Sequence, residues 1–324
     1  MDEQGPSLRE ALVVCVMYAL LIAAIFVTYT RISPTQMYNV SHEGITGGAS
    51  RVLTFSNFSL CFGALAVLGF AVARLTGDGS SGHRRIVYIL AAVATLLCLV
   101  TALPGVVDQN DLDARPINAI PALGVLFTIG LTVYAVRTRG VGKPLPWSTG
   151  DRLRLVAIVV LLVVSLPWIL ADLGVYVGAI PPLDHVFMSK QLAAGGETLR
   201  AVHLGHHHGL DGAFLAISAL ILGRELGRVR QRWLRTTLSW YLALMVAYGV
   251  ANMINDAWTE QVVKRGWTDW TVPSMLRPDL SAAWGLLLLG MVALRFLVFR
   301  PAIEDASSGR AGKIAELETR GGLA

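Results

Sequence analysis

The feature that most constrains this chain is a series of long apolar stretches separated by short polar ones. A helix rises about 1.5 Å per residue, so about 20 residues cross a hydrocarbon core of about 30 Å, and an apolar run of roughly 18 or more reads as a spanning helix. Eight such runs are present: about Ala11 to Thr30, Phe55 to Leu75, Ile86 to Val107, Ile120 to Val136, Leu155 to Val177, Ala213 to Leu222 with whatever precedes it, Leu238 to Ile254, and Ala282 to Phe299. The sixth has a short apolar part, so its helix is expected to begin within or just before the histidines ahead of it. Composition agrees: 54% of residues are hydrophobic and 15% charged, against about 25% charged in an average soluble domain. The expected fold class is an all-α integral membrane protein, a bundle of about eight transmembrane helices. Residues 1–300 form one polytopic domain, and 301–324, polar and punctuated by Gly and Ser, form a flexible cytoplasmic tail.

Orientation follows from Lys and Arg, which accumulate in short cytoplasmic loops. With the N-terminus inside, nineteen of the 27 basic residues fall on the cytoplasmic side and eight, among them Arg31, Arg51, Arg115 and Arg200, on the other. Both termini are therefore expected in the cytoplasm. The net charge of +5 is explained by this insertion pattern and by the anionic inner leaflet, and no nucleic-acid partner is expected. The leader MDEQGPSLRE is acidic and no small-residue cleavage pattern follows the first apolar core, which reads as a retained helix. Cys15, Cys61 and Cys98 lie in different spans and give neither a disulfide framework nor a thiolate metal motif. Tryptophans divide between the two faces, as interfacial anchors do. The dominance of Ala, Leu, Val, Gly and Arg points to a GC-rich bacterial genome.

Six of the seven histidines, all but His83, fall on the extracytoplasmic side, and four of them lie in AVHLGHHHGLDG, residues 201–212. Neutral imidazole ligates zinc, copper and iron, and ligands three or four apart on a helix share a face. If the sixth helix starts early, His203, His207 and Asp211 form one stripe with His206 beside it, while His208 points elsewhere. Gly205, Gly209 and Gly212 weaken a helix interior and could equally build a tight loop on which imidazoles converge. The expected role is a transition-metal site, with a histidine proton relay or a solvated loop as the alternatives.

Further donors come from the same face. His42 and Glu43 sit in the first outer loop, and Asp184 and His185 precede the histidine stretch. In ANMINDAWTE, Asn252, Asn255, Asp256 and Thr259 have the spacing of one polar stripe, which must face the bundle interior or a watery cavity. Asp172, near the outer end of the fifth span, is either a site residue or an interfacial partner of Arg31 or Arg200. Asn57 either lines the same cavity or bonds between helices.

The segment HLGHH, His203 to His207, resembles the H-x-x-H-H box of membrane di-iron desaturases and hydroxylases over five residues, without the second and third boxes that those enzymes carry. The spacing of His203 and His207, with His42 as a third ligand, is similar to that of intramembrane zinc hydrolases of the alkaline ceramidase and adiponectin-receptor kind, an analogy of site alone. The cytoplasmic halves of the spans offer no polar pathway, which argues against a carrier. The reading is a one-sided membrane metalloenzyme, a hydrolase or oxidoreductase acting on a lipid or lipid-soluble substrate. His203, His206, His207, His208, His42 and His185 are the metal ligands, and Glu43, Asp256, Asp211 and Asp172 the carboxylates available as ligand, orienter or general base. Zinc, copper and iron all suit such donors; a zinc ion would act as Lewis acid and lower the pKa of its water to about 7. A metal or proton transporter and a sensor or assembly factor are the alternatives.

Overall fold

The computed structural model describes residues 5–31, 44–77, 79–103, 105–107, 111, 113–173, 208–263, 266–276 and 278–300. Their regular structure is helical: α1 (Arg9–Thr30), α2 (Gly47–Phe55), α3 (Cys61–Thr76), α4 (Ser81–Leu99), α5 (Ala119–Arg139), α6 (Thr149–Asp172), α7 (His208–Leu222), α8 (Arg232–Trp258) and α9 (Ala282–Leu294). Only an isolated antiparallel bridge, Ile45 to Ala114, departs from this among the described residues. Among the described residues, six helical segments are long and apolar enough to cross a membrane: Arg9–Thr30, Ser81–Ala102, Pro116–Arg139, Thr149–Leu170, Arg232–Trp258 and Ala282–Phe299. The protein is thus an all-α, multi-pass membrane bundle.

The helices divide by how much of their surface they bury. On α1, Ala11, Val14, Tyr18, Leu21 and Ile25 face inward at helical spacing while Val13, Val16, Leu20 and Phe26 stay exposed. That is one packed stripe against protein and the rest against lipid. α6 turns Val156, Val159, Val160 and Val163 outward in the same way. α7 differs: every residue from Gly209 to Leu220 is buried. A helix apolar all round belongs in the middle of its bundle, and α7 packs against α8, α6, α1 and α3.

α7 and α8 approach each other closely. A Cβ on Gly212 would lie 2.3 Å from the carbonyl oxygen of Gly249, and one on Gly249 would lie 2.3 Å from that of Gly212. The two backbones therefore touch with no side chain between them, as small residues permit between membrane helices.

α2 and α3 run continuously through a π-helical turn, Ser56–Leu60. Such single turns interrupt helices by one extra residue and re-aim the side chains they carry. Here Ser59 is turned toward α7, its Oγ donating to the Asp211 carbonyl at 3.4 Å.

At one end of the bundle the start of α1, the starts of α6 and α8 and the end of α9 come together. Arg224 bridges Glu10 at 2.9 Å and Asp151 at 3.2 Å and lies 4.6 Å over the Trp147 ring. Arg154 pairs with Asp151 at 2.7 Å and donates to the Val298 carbonyl at 3.2 Å. The Ser7 N–H donates to the buried Glu225 carboxylate at 2.8 Å. We call this the arginine end. The opposite end, where α1, α6 and α8 finish and α2, α7 and α9 begin, is the histidine end.

Candidate functional site

The site is built around the first turn of α7. Helix starts leave backbone N–H groups without intrahelical acceptors and carry a partial positive charge. His208 opens the helix, and the N–H of Gly209 donates to Oδ2 of Asp256, on α8, at 2.9 Å. Asp256 thus caps a helix to which it does not belong, which ties the end of α8 to the start of α7. Gly209 also permits the approach of α6, since a Cβ there would lie 2.5 Å from the indole of Trp168.

Three residues on, Asp211 is fully buried. Its charged neighbours are Arg51 and His208. Arg51, in the middle of α2, is 1% exposed, and its guanidinium sits 5.6 Å from the ring centres of both Tyr29 and Phe55. A carboxylate and a guanidinium taken out of water are costly unless each meets an opposite charge, and cation–ring contacts add to the compensation. The Tyr18 hydroxyl lies 3.0 Å from Ser59 Oγ beneath Asp211, and the Tyr18 ring contacts Phe55 and Phe214. The arrangement is a buried polar knot flanked by aromatic side chains, with the half-buried His208 at its edge.

Of the residues picked out from the sequence, the structure brings His208, Asp211 and Asp256 together. His42, Glu43, His185, His203, His206 and His207 lie outside the described residues, as does the side chain of Asp172, whose backbone closes α6. Among the described residues no group of three or more His, Cys, Asp and Glu converges as a metal site. The described donor set, one imidazole and two carboxylates of which Asp211 already faces Arg51, fits a metal only as part of a larger shell.

Several expectations need correction. Gly209 and Gly212 belong to a helix, not to a loop on which imidazoles gather; they are small because Trp168 and Gly249 approach there. Trp168 is 3% exposed and packs on α7, so it is not an interfacial anchor. The polar stripe on α8 faces inward, but much of its work is mechanical. Asn252 Nδ2 donates to the Tyr248 carbonyl at 2.8 Å, and Asn255 Nδ2 donates to the Val272 carbonyl at 2.7 Å, holding segment 266–276 against the helix. Asn57 is 1% exposed, and neither amide atom has a hydrogen-bond partner among the described residues. It does not bond between the described helices.

Sequence reasoning missed Arg51, which it counted as a loop charge. The available signal was RVLTF following GGAS, an apolar pattern that lengthens the second helix backward past Arg51. It also missed Tyr18 and Ser59, which carry no sequence signature in an apolar span. Comparison with protein families, with curated proteins and with solved structures finds no match to this chain.

Proposed function

We propose that the protein is a one-sided membrane metalloenzyme whose site lies at the extracytoplasmic face and takes a lipid or lipid-soluble substrate. The observation that carries this reading is the gathering of His208, Asp211, Asp256 and Arg51 around the start of the central helix, immediately after His203, His206 and His207 in the chain. Fixed polar groups at the mouth of an otherwise apolar bundle are expensive, and that expense is characteristic of functional sites within membranes.

In this reading the imidazoles at 203, 206 and 207, with His42 or His185, complete the shell to which His208 contributes. Imidazole and carboxylate donors without thiolate suit zinc, copper or iron, and the bound ion would supply Lewis acidity for hydrolysis or a redox centre for oxidation. Asp211, fully buried with Arg51 and His208 as its charged neighbours, is a positioning residue in this reading and does not meet substrate. Asp256 positions the whole first turn of α7 through Gly209. Glu43 and Asp172 are left as candidate general bases.

The test is elemental analysis of protein purified in detergent without a histidine tag. Stoichiometric metal that is lost in His203→Ala and His207→Ala, with the melting temperature lowered by a chelator, is the expected result. Metal-free protein whose melting is indifferent to the chelator would overturn the reading.

A further inference from the structure

We infer that the histidine end carries a lateral binding site for a small neutral amphiphile drawn from the membrane. The inference deepens the function proposed above by assigning its substrate class, and it rests on that reading for the site's orientation.

A cavity of about 210 Å³ lies between the α3–α4 and α8–α9 pairs, with Phe62, Leu215, Tyr241, Met245, Tyr248 and Trp284 among its walls. Its chemistry selects against charge. The hydroxyls in the wall are already committed: Tyr241 donates to the Phe62 carbonyl at 2.9 Å, Tyr248 to the Leu276 carbonyl at 2.9 Å, and Thr101 to the Cys98 carbonyl at 3.0 Å. What remains for a guest is ring faces, alkyl groups and a thioether, which bind by contact and exclusion of water.

The rim says where the guest comes from. Leu103 lines the cavity and is 53% exposed, directly after the helical segment Ser81–Ala102 of membrane-spanning composition, so the mouth presents an apolar surface at the end of that span. Gly105 and Val107 also form part of a second, polar cavity of about 230 Å³ lined by Asp111, Asp113, Arg115 and Asn118. Apolar body and polar head thus have adjoining compartments that share one strip of backbone. On the inner wall, Leu215 lies one helical turn along α7 from Asp211, itself three residues after His208. An apolar cavity of about 150 Å³ accepts benzene, so the size here suits a ring or chain of about eight carbons.

The probe is octanol carrying an aliphatic diazirine, photolysed with the purified full-length protein and mapped by peptide mass spectrometry. The expected outcome is saturable labelling within residues 101–107 and 241–248, competed by excess octanol. Met245→Trp fills the cavity and Leu103→Trp blocks its rim. In whichever of the two keeps the wild-type elution profile, labelling of those peptides is expected to fall to the level on the lipid-facing side of α6. Unsaturable labelling spread over α4, α6 and α9 and unchanged in both variants would overturn the inference. Saturable labelling of a protein that proves metal-free would sink the metalloenzyme reading and leave this site standing. Metal retained by a protein that shows only unsaturable labelling would do the reverse.

Discussion

Gly212 and Gly249 show how much of the packing depends on atoms that are missing. Each would place a Cβ 2.3 Å from the other's carbonyl oxygen, and because the obstacle is backbone, no rotamer change relieves it. Gly212→Ala must push α7 from α8, and overpacking of this kind costs about 1–3 kcal/mol. The expected result is a lower melting temperature in detergent, with Gly249→Ala giving a similar loss and the double variant losing less than the sum, since the first displacement makes room for the second. Asp256 is separable from this. Asp256→Ala removes the acceptor of the Gly209 N–H and is expected to cost about 1 kcal/mol, as lost helix caps do, whereas Asp256→Asn keeps an acceptor and most of the stability. Equal losses in the two variants would deny the capping role. At this scale the sequence was half legible. Its acids and histidines stood out because charged and imidazole side chains are rare in an apolar chain, and Asp211 and Asp256 do meet at α7. The purpose of the glycines was hidden, because a glycine that opens a turn and one that lets two helices touch look the same until the neighbour is known.

At the scale of elements, hydropathy located the helices but not their interruptions. The π turn at Ser56–Leu60 leaves no mark on a window average, and the early start of α2 at Gly47 leaves only the short pattern RVLTF after GGAS; these two features put Arg51 and Ser59 into the core. The 3₁₀ segment Gly223–Arg228 after α7 is a second case, reading as a basic loop while burying Glu225 completely. Burial first, and then the neighbouring Glu10 carboxylate, push the Glu225 carboxyl up from the ordinary 4.5 to about 7, against the pull of Arg228, the Ser7 N–H and Arg224. The folded protein therefore holds this proton more tightly than the unfolded chain does. The stability it contributes is complete below the ordinary value of 4.5 and is lost as pH rises through about 7. Melting temperature is expected to fall over that interval, and Glu225→Gln, neutral at every pH, to flatten the fall and to exceed wild type on the alkaline side. A slope identical in the two proteins would place the pH response elsewhere.

For the whole molecule, the two ends are unlike, and the difference bears on which faces the cytoplasm. The arginine end is closed by ion pairs among α1, α6, residues 223–228 and the end of α9. The histidine end keeps two adjoining cavities. We propose, from the asymmetry of nineteen basic residues to eight, that the bundle sits with the arginine end inside. Removing Arg51 from the minority, because it is buried and no loop charge, only strengthens that bias. The consequence is measurable without knowing the substrate. Thr271 in the segment after α8 and Pro144 in the connection before α6 are both exposed, at opposite ends. The native thiols are a weak background, since Cys61 and Cys98 are buried and Cys15 lies within a spanning helix. A membrane-impermeant maleimide applied to intact cells is expected to label Thr271→Cys and to leave Pro144→Cys unlabelled until the membrane is opened. The reverse pattern would turn the protein over, placing the histidine end and its cavities in contact with the cytoplasm, and the substrate would then have to be sought in the inner leaflet.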